Sequence, residues 1–178
     1  MLSISGVRDL VFIEGLFTEN SGELSKLKLV THNIVGLGIA AMVSSLIGCS
    51  LACIIASSLL GIIAQNIIDI LSHEHRGRYA RRTKILHSLE GVTALAVILG
   101  GLIAGSLAFK VGDTIGLLLA IEASILSHLL LDSLTPNGVY VLGRRITLAK
   151  IPYDNPEVNM IFQALGLLAL AIAILARV

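Results

Sequence analysis

Tryptophan is absent, and aromatic residues make up only 4% of the chain. An aromatic belt therefore cannot mark membrane edges, and any hydrophobic segments must be bounded by charge, glycine and proline instead. Charge is scarce as well. Asp, Glu, Lys and Arg together reach 14%, against about a quarter in ordinary soluble domains, which excludes that class. There are only two cysteines, Cys49 and Cys53, four apart inside one apolar run with no flanking Cys or His. That pattern supports neither a disulfide framework nor a zinc-finger spacing, and the two read as small packing residues. A cleavable signal is not evident either: the first apolar patch, residues 10–17, contains Glu14 and lacks a basic start and a small-residue cleavage site.

Hydrophobic residues account for 55% of the 178 residues before the 17 glycines are counted, and the mean hydropathy is +0.90. Such a chain is an all-α, polytopic membrane helix bundle, with about five transmembrane helices expected from the length of its apolar runs. Residues 1–30 form an N-terminal extension. There Leu2, Ile4, Val7, Leu10, Val11, Ile13, Leu16 and Phe17 alternate with Arg8, Asp9 and Glu14 near helical spacing, which suits a short interfacial helix.

Residues 31–178 form the bundle. The run from Ile34 to Leu71 is almost free of charge and too long for one crossing, since about 20 residues span the hydrocarbon core. A break at Gly48-Cys49-Ser50 divides it into helices over 31–47 and 50–72. A basic loop, 73–84, follows. Helix 85–108 carries Gly101 and Gly105 as a small-xxx-small face. Lys110 to Asp113 is a turn. Helix 114–135 is stopped by Pro136 and Gly138. A second polar loop, 136–156, holds Arg144, Arg145 and Lys150, and helix 157–177 closes the chain. Thr31 and Ser88 are candidate helix caps.

If every helix crosses, Lys26, Lys28, Arg76, Arg78, Arg81, Arg82, Lys84, Arg144, Arg145 and Lys150 share one side, and only Lys110 and Arg177 fall on the other. The basic side should be cytoplasmic, giving a multi-pass cell-membrane protein with its N-terminus inside and its C-terminus outside. On this topology all five histidines meet at the same face. Independent placement would achieve that about one time in sixteen on the positive-inside topology.

His128 and Asp132 are four apart at the end of one apolar helix, and Asp69 and His73 are four apart at the end of another. On a helix that spacing stacks the two side chains on one face. An imidazole and a carboxylate at a membrane helix end are expensive unless paired, hydrated or bound to something. Imidazoles and carboxylates converging from several helices are the usual ligands of zinc or a similar divalent metal. The candidate metal ligands are therefore His32, Asp69, His73, His87, His128 and Asp132, with zinc the first candidate. At helix ends such a site is open to water, which suits a catalytic ion that activates water. Asp132 could alternatively orient a ligating histidine. His75, within the basic loop, is left out. The competing reading is a non-catalytic membrane protein whose His/Asp cluster holds the bundle together. A transporter is disfavoured because transporter sites lie near the bilayer midplane.

The motifs resemble the YdjM-type family of membrane-bound metal-dependent hydrolases, also called LexA-binding inner-membrane proteins. Thr31-His32 with Gly36, Asp69 with His73, Leu86-His87-Ser88, and His128 with Asp132, Thr135 and Gly138 follow that family's order over residues 31–145. Two departures are plain. The family's Asp-x-Asp-His is replaced by a stretch in which Asp69 and His73 are separated by three residues, and Arg81-Arg82-Thr83-Lys84 stands where the family has His-Arg before its Thr-His-Ser. The family is similar to the helical zinc phospholipase C and nuclease superfamily, so the resemblance implies phosphoester hydrolysis, with a phospholipid or other phosphoester as substrate. On that implication Asp132 and Arg82 are the candidate catalytic residues, Arg82 with Arg81 clamping a phosphate. The expected partner is the lipid bilayer; no specific nucleic-acid binding is expected.

Overall fold

The structure is a computed structural model and describes residues 29–71, 73–76, 79–82, 84–85, 87–107, 110–152 and 154–177. The expected interfacial helix of the N-terminal extension lies outside the described residues. Five helices are described: α1 (Leu29–Ile47), α2 (Leu51–Leu71), α3 (Leu89–Leu107), α4 (Val111–Ser133) and α5 (Pro156–Leu175). α1, α2, α4 and α5 are long and apolar enough to cross a bilayer, and α3 contributes a shorter apolar stretch, Leu89–Ile103. The chain is a mostly helical membrane bundle, and the helix ends fall within a few residues of those expected from hydropathy.

The turns have local causes. Gly48 adopts φ +87°, its N–H donates to Ser45 O, and the Cys49 N–H donates to Ser44 O. This is the Schellman arrangement, which satisfies the last carbonyls of α1 with a left-handed glycine. Ser50 follows at once as the cap of α2, its Oγ accepting from Cys53 N. Three residues therefore reverse the chain. Ser88 caps α3 by accepting from Gly91 N. Thr31 is no cap: it lies inside α1 and donates from Oγ1 to Asn159 Oδ1. Asn155 caps α5 by accepting from Val158 N, with Pro156 next, where its missing N–H is harmless.

Cross-helix contacts fix the directions. α1 and α2 are antiparallel, since Gly36 lies against Gln65 while Ser44 meets Ser57. α2 and α4 are parallel, because Cys53 contacts Asp113 and Gln65 contacts Ser124. α3 runs antiparallel to α4, with Thr93 on Glu122 and Gly100 against Leu118. α1 and α5 are parallel and keep register: Thr31 meets Asn159, Gly38 meets Gly166, and Ser45 meets Ala173. These contacts recur every seven residues, the spacing of a packed helical seam. A Cβ on Gly38 would lie 2.0 Å from Gly166 O, so the backbones touch as small residues allow in membranes. The outward faces are apolar, as at Leu51, Ile55, Leu59 and Ile63 of α2.

Two short hairpins replace the loops expected from sequence. β1 (His73–Arg76) pairs with β2 (Tyr79–Arg82), and β3 (Val139–Val141) pairs with β4 (Arg144–Ile146). The second turns on Leu142 (φ +48°) and Gly143 (φ +73°), the positive-φ pair of a two-residue hairpin turn. It docks on the start of α3: Tyr140 N donates to His87 O at 2.8 Å, and Leu142 N donates to Glu90 Oε1 at 2.7 Å.

Candidate functional site

α1, α3 and α5 start at the end of the bundle where α2 and α4 finish. His32 in the first turn of α1, His87 just before α3, and His128 and Asp132 in the last turns of α4 are thereby brought together. All four are buried, His87, His128 and Asp132 completely. Asp132 is the hub. Its Oδ1 lies 3.6 Å from His32 Nε2, and its Oδ2 lies 3.3 Å from His87 Nε2 and 3.4 Å from His128 Nε2. The last contact is the i, i+4 pair expected on α4. The rings of His32 and His128 stack with centroids 4.1 Å apart. His32, His128 and Asp132 each offer a ligand atom within 4.8 Å of the others. Asp69, on α2, stands at the rim, with Oδ1 3.8 Å from His128 Nε2 and a side chain 16% exposed.

Asp69 and His73 do not lie on one helix, as the spacing of four would require. α2 ends at Leu71, and His73 already belongs to β1, opposite Arg82 of β2. The physical reason is the polar, charged run after Leu71, which leaves the helix for hairpin pairing. The register places His73 and Arg82 side by side; their side chains lie outside the described residues.

Gln65 is a member of the cluster that sequence reading missed. It is fully buried on α2, one turn before Asp69. Its Nε2 donates to Ser124 O at 2.7 Å and to Ser124 Oγ at 3.2 Å. A carbonyl only accepts, so the amide is oriented, and its Oε1 faces His128 Nδ1 at 2.6 Å. Nδ1 must then carry the ring proton in the neutral imidazole, and Nε2 carries the lone pair. This assignment follows from the hydrogen-bond network. His128 Nε2 has no hydrogen-bond partner among the described residues; it faces the carboxylates of Asp132 and Asp69. A lone pair aimed at carboxylates is repulsive unless a cation lies between them. Only the i, i+4 relation to Asp69 could have singled out Gln65 in the sequence.

A cleft reaches His32 from the side. Thr31, Thr135, Asn155 and Asn159 supply its polar atoms, and Leu131, Leu134, Ile151, Pro152, Val158 and Phe162 its apolar wall. Its volume is about 40 Å³, room for a few waters or one small group. The loop entering α5 is held there by Leu148 N to Ser133 O and Ile151 N to Leu134 O.

No curated protein and no solved structure matches the chain. Residues 27–131, which include His32, Asp69, His73, His87 and His128, match one protein family, described as "Protein of unknown function (DUF1286)". The match spans more than half of the 178 residues, and the chain belongs to that family.

Proposed function

We propose that the chain is an integral membrane, metal-dependent hydrolase acting on a phosphoester at the cytoplasmic face, with zinc as its metal. One observation carries this reading: the Nε2-to-carboxylate separations around Asp132 are 3.3, 3.4 and 3.6 Å. These are long for charge-assisted hydrogen bonds, which run about 2.7–2.9 Å. They fit ligands around a shared ion, because two atoms each about 2.1 Å from a tetrahedral centre lie about 3.4 Å apart. His32, His128 and Asp132, whose ligand atoms lie within 4.8 Å of one another, would hold the ion, and His87 would bear on it through Asp132 Oδ2. When bound, it supplies a Lewis acid and activates water for attack at phosphorus.

The protein's own groups supply the rest. Gln65 fixes the tautomer and ring orientation of His128, as outer-shell partners of ligating histidines do. Asp69, at the rim and partly exposed, is placed to accept a proton and pass it to solvent. The side cleft favours catalysis over a purely structural ion, since a closed structural site needs no entry. The phosphoester class, and Arg82 as a phosphate clamp, rest on the resemblance to YdjM-type hydrolases; the cytoplasmic assignment rests on the Lys/Arg asymmetry. The test is elemental analysis of purified protein together with hydrolysis of a chromogenic phosphodiester. Zinc near one per chain and zinc-dependent turnover support the proposal. Protein free of metal after zinc reconstitution removes it, and metal without turnover leaves the structural reading.

A further inference from the structure

The opposite end of the bundle carries a second cluster that the hydrolase reading does not use. Cys49 lies in the α1–α2 turn, Cys53 in the first turn of α2 and Asp113 in the first turn of α4. Along α4, Asp113 precedes Asp132 by nineteen residues, roughly 28 Å at 1.5 Å per residue, so the two clusters are separate. Cys49 is 2% exposed and Cys53 fully buried. A ligand atom from each of Cys49, Cys53 and Asp113 lies within 4.8 Å of the other two. The sulfur of Cys49 sits in a notch against α4, where a Cβ on Gly116 would lie 2.0 Å from it.

The surroundings hold these groups in place. Asp113 is anchored by Ser50, whose N–H donates to Oδ1 at 2.8 Å and whose Oγ donates to Oδ2 at 2.8 Å. Each carboxylate oxygen keeps a further lone pair. The Cys53 thiol donates to Asp113 O at 3.3 Å, so the sulfur lone pairs remain available. Two sulfurs and one oxygen form a soft, low-coordinate donor set. Thiolate sulfur selects soft ions such as Cu(I) over hard ones such as Mg²⁺ or Ca²⁺.

We propose that Cys49, Cys53 and Asp113 form a second metal site, specific for a soft monovalent cation of the Cu(I) type, at the end of the bundle away from the histidines. Binding converts both thiols to thiolates and releases their two protons to water; no electron is transferred.

The test uses the full chain in lipid nanodiscs, reduced with a phosphine and kept anaerobic, and titrated with Cu(I) buffered by a chromophoric chelator. The expected result is about one equivalent of Cu(I) drawn from the chelator by the thiolate pair, with near-ultraviolet sulfur-to-copper absorption. Cys49→Ser and Cys53→Ser should each lose that equivalent, whereas Asp132→Asn should retain it, which separates this site from the histidine cluster. A second measurement needs no variant: Cu(I) should protect both thiols of the natural protein from maleimide in mild detergent. Uptake equal in the natural protein and the two serine variants, or thiols alkylated equally with and without Cu(I), overturns the proposal.

Discussion

Gln65 Oε1 lies 2.6 Å from His128 Nδ1, and the same carboxamide donates to the Ser124 carbonyl one turn earlier on α4. One neutral side chain thus decides which nitrogen of His128 carries the proton, and it does so across a helix interface. Gln65→Leu removes that control while keeping the volume. Metal affinity should fall about 10–100-fold, the usual loss when an outer-shell partner is removed. Competition with a zinc-sensitive dye measures it. Gln65→Glu should restore much of the affinity, because a carboxylate also accepts from Nδ1.

Asp132→Asn keeps the shape of the hub but removes its charge. The variant should insert normally and lose most of its zinc, read by elemental analysis beside a circular dichroism spectrum. Zinc content equal to that of the natural protein would make Asp132 a bystander.

The helix directions place both hairpins at the histidine end and Lys110 at the other. Tyr79→Cys and Asn137→Cys should be labelled from the cytoplasm, and Lys110→Cys only from outside, each in a background with Cys49 and Cys53 replaced. Labelling of all three from one side would break the topology and the shared site together.

α5 is held by backbone contact at Gly38 and Gly166. Gly38→Leu should push the helices apart and cost about 1–3 kcal/mol, the range for overpacking. A lowered midpoint in a detergent unfolding titration reads it. Because the wall of the side cleft includes Val158 and Phe162, the same change should alter access to His32 while leaving Gln65 and His128 paired.

Tyr140 N supplies the bond to His87 O. Methylation of that one amide, by semisynthesis or by nonsense suppression with an N-methyl residue, should loosen His87 and weaken zinc binding with no change in helix content.

The helices were legible because hydropathy is a sum over twenty residues, and a one-residue error in a boundary hardly alters it. The convergence of His32, His87, His128 and Asp132 was legible for a related reason: alternating helices bring every second helix end to one side. The hairpins were not. β1 and β2 consist largely of His, Glu and Arg, with no alternation of apolar and polar residues to announce a strand. β3 and β4 are three residues each, too short for a period to register. The i, i+4 frame expected for Asp69 and His73 stops at Leu71, since a spacing of four has helical meaning only while the helix continues. Cys49 and Cys53 read as packing residues because Asp113, their neighbour in space, is sixty residues from Cys53 in sequence.

The three-residue reversal at Gly48-Cys49-Ser50 has a consequence for how the protein is made. α1 and α2 need nothing further along the chain to form a hairpin, which already has its own Ser44–Ser57 bond. They can therefore enter the bilayer while the ribosome is still working on the remainder. Yet the partner of Gln65, His128, is 63 residues downstream, about 3–13 s later at ordinary rates of synthesis of about 5–20 residues per second. Throughout that interval a carboxamide waits in the membrane for a helix not yet translated, and arrival of α4 is the biosynthetic event that both relieves it and assembles the histidine cluster.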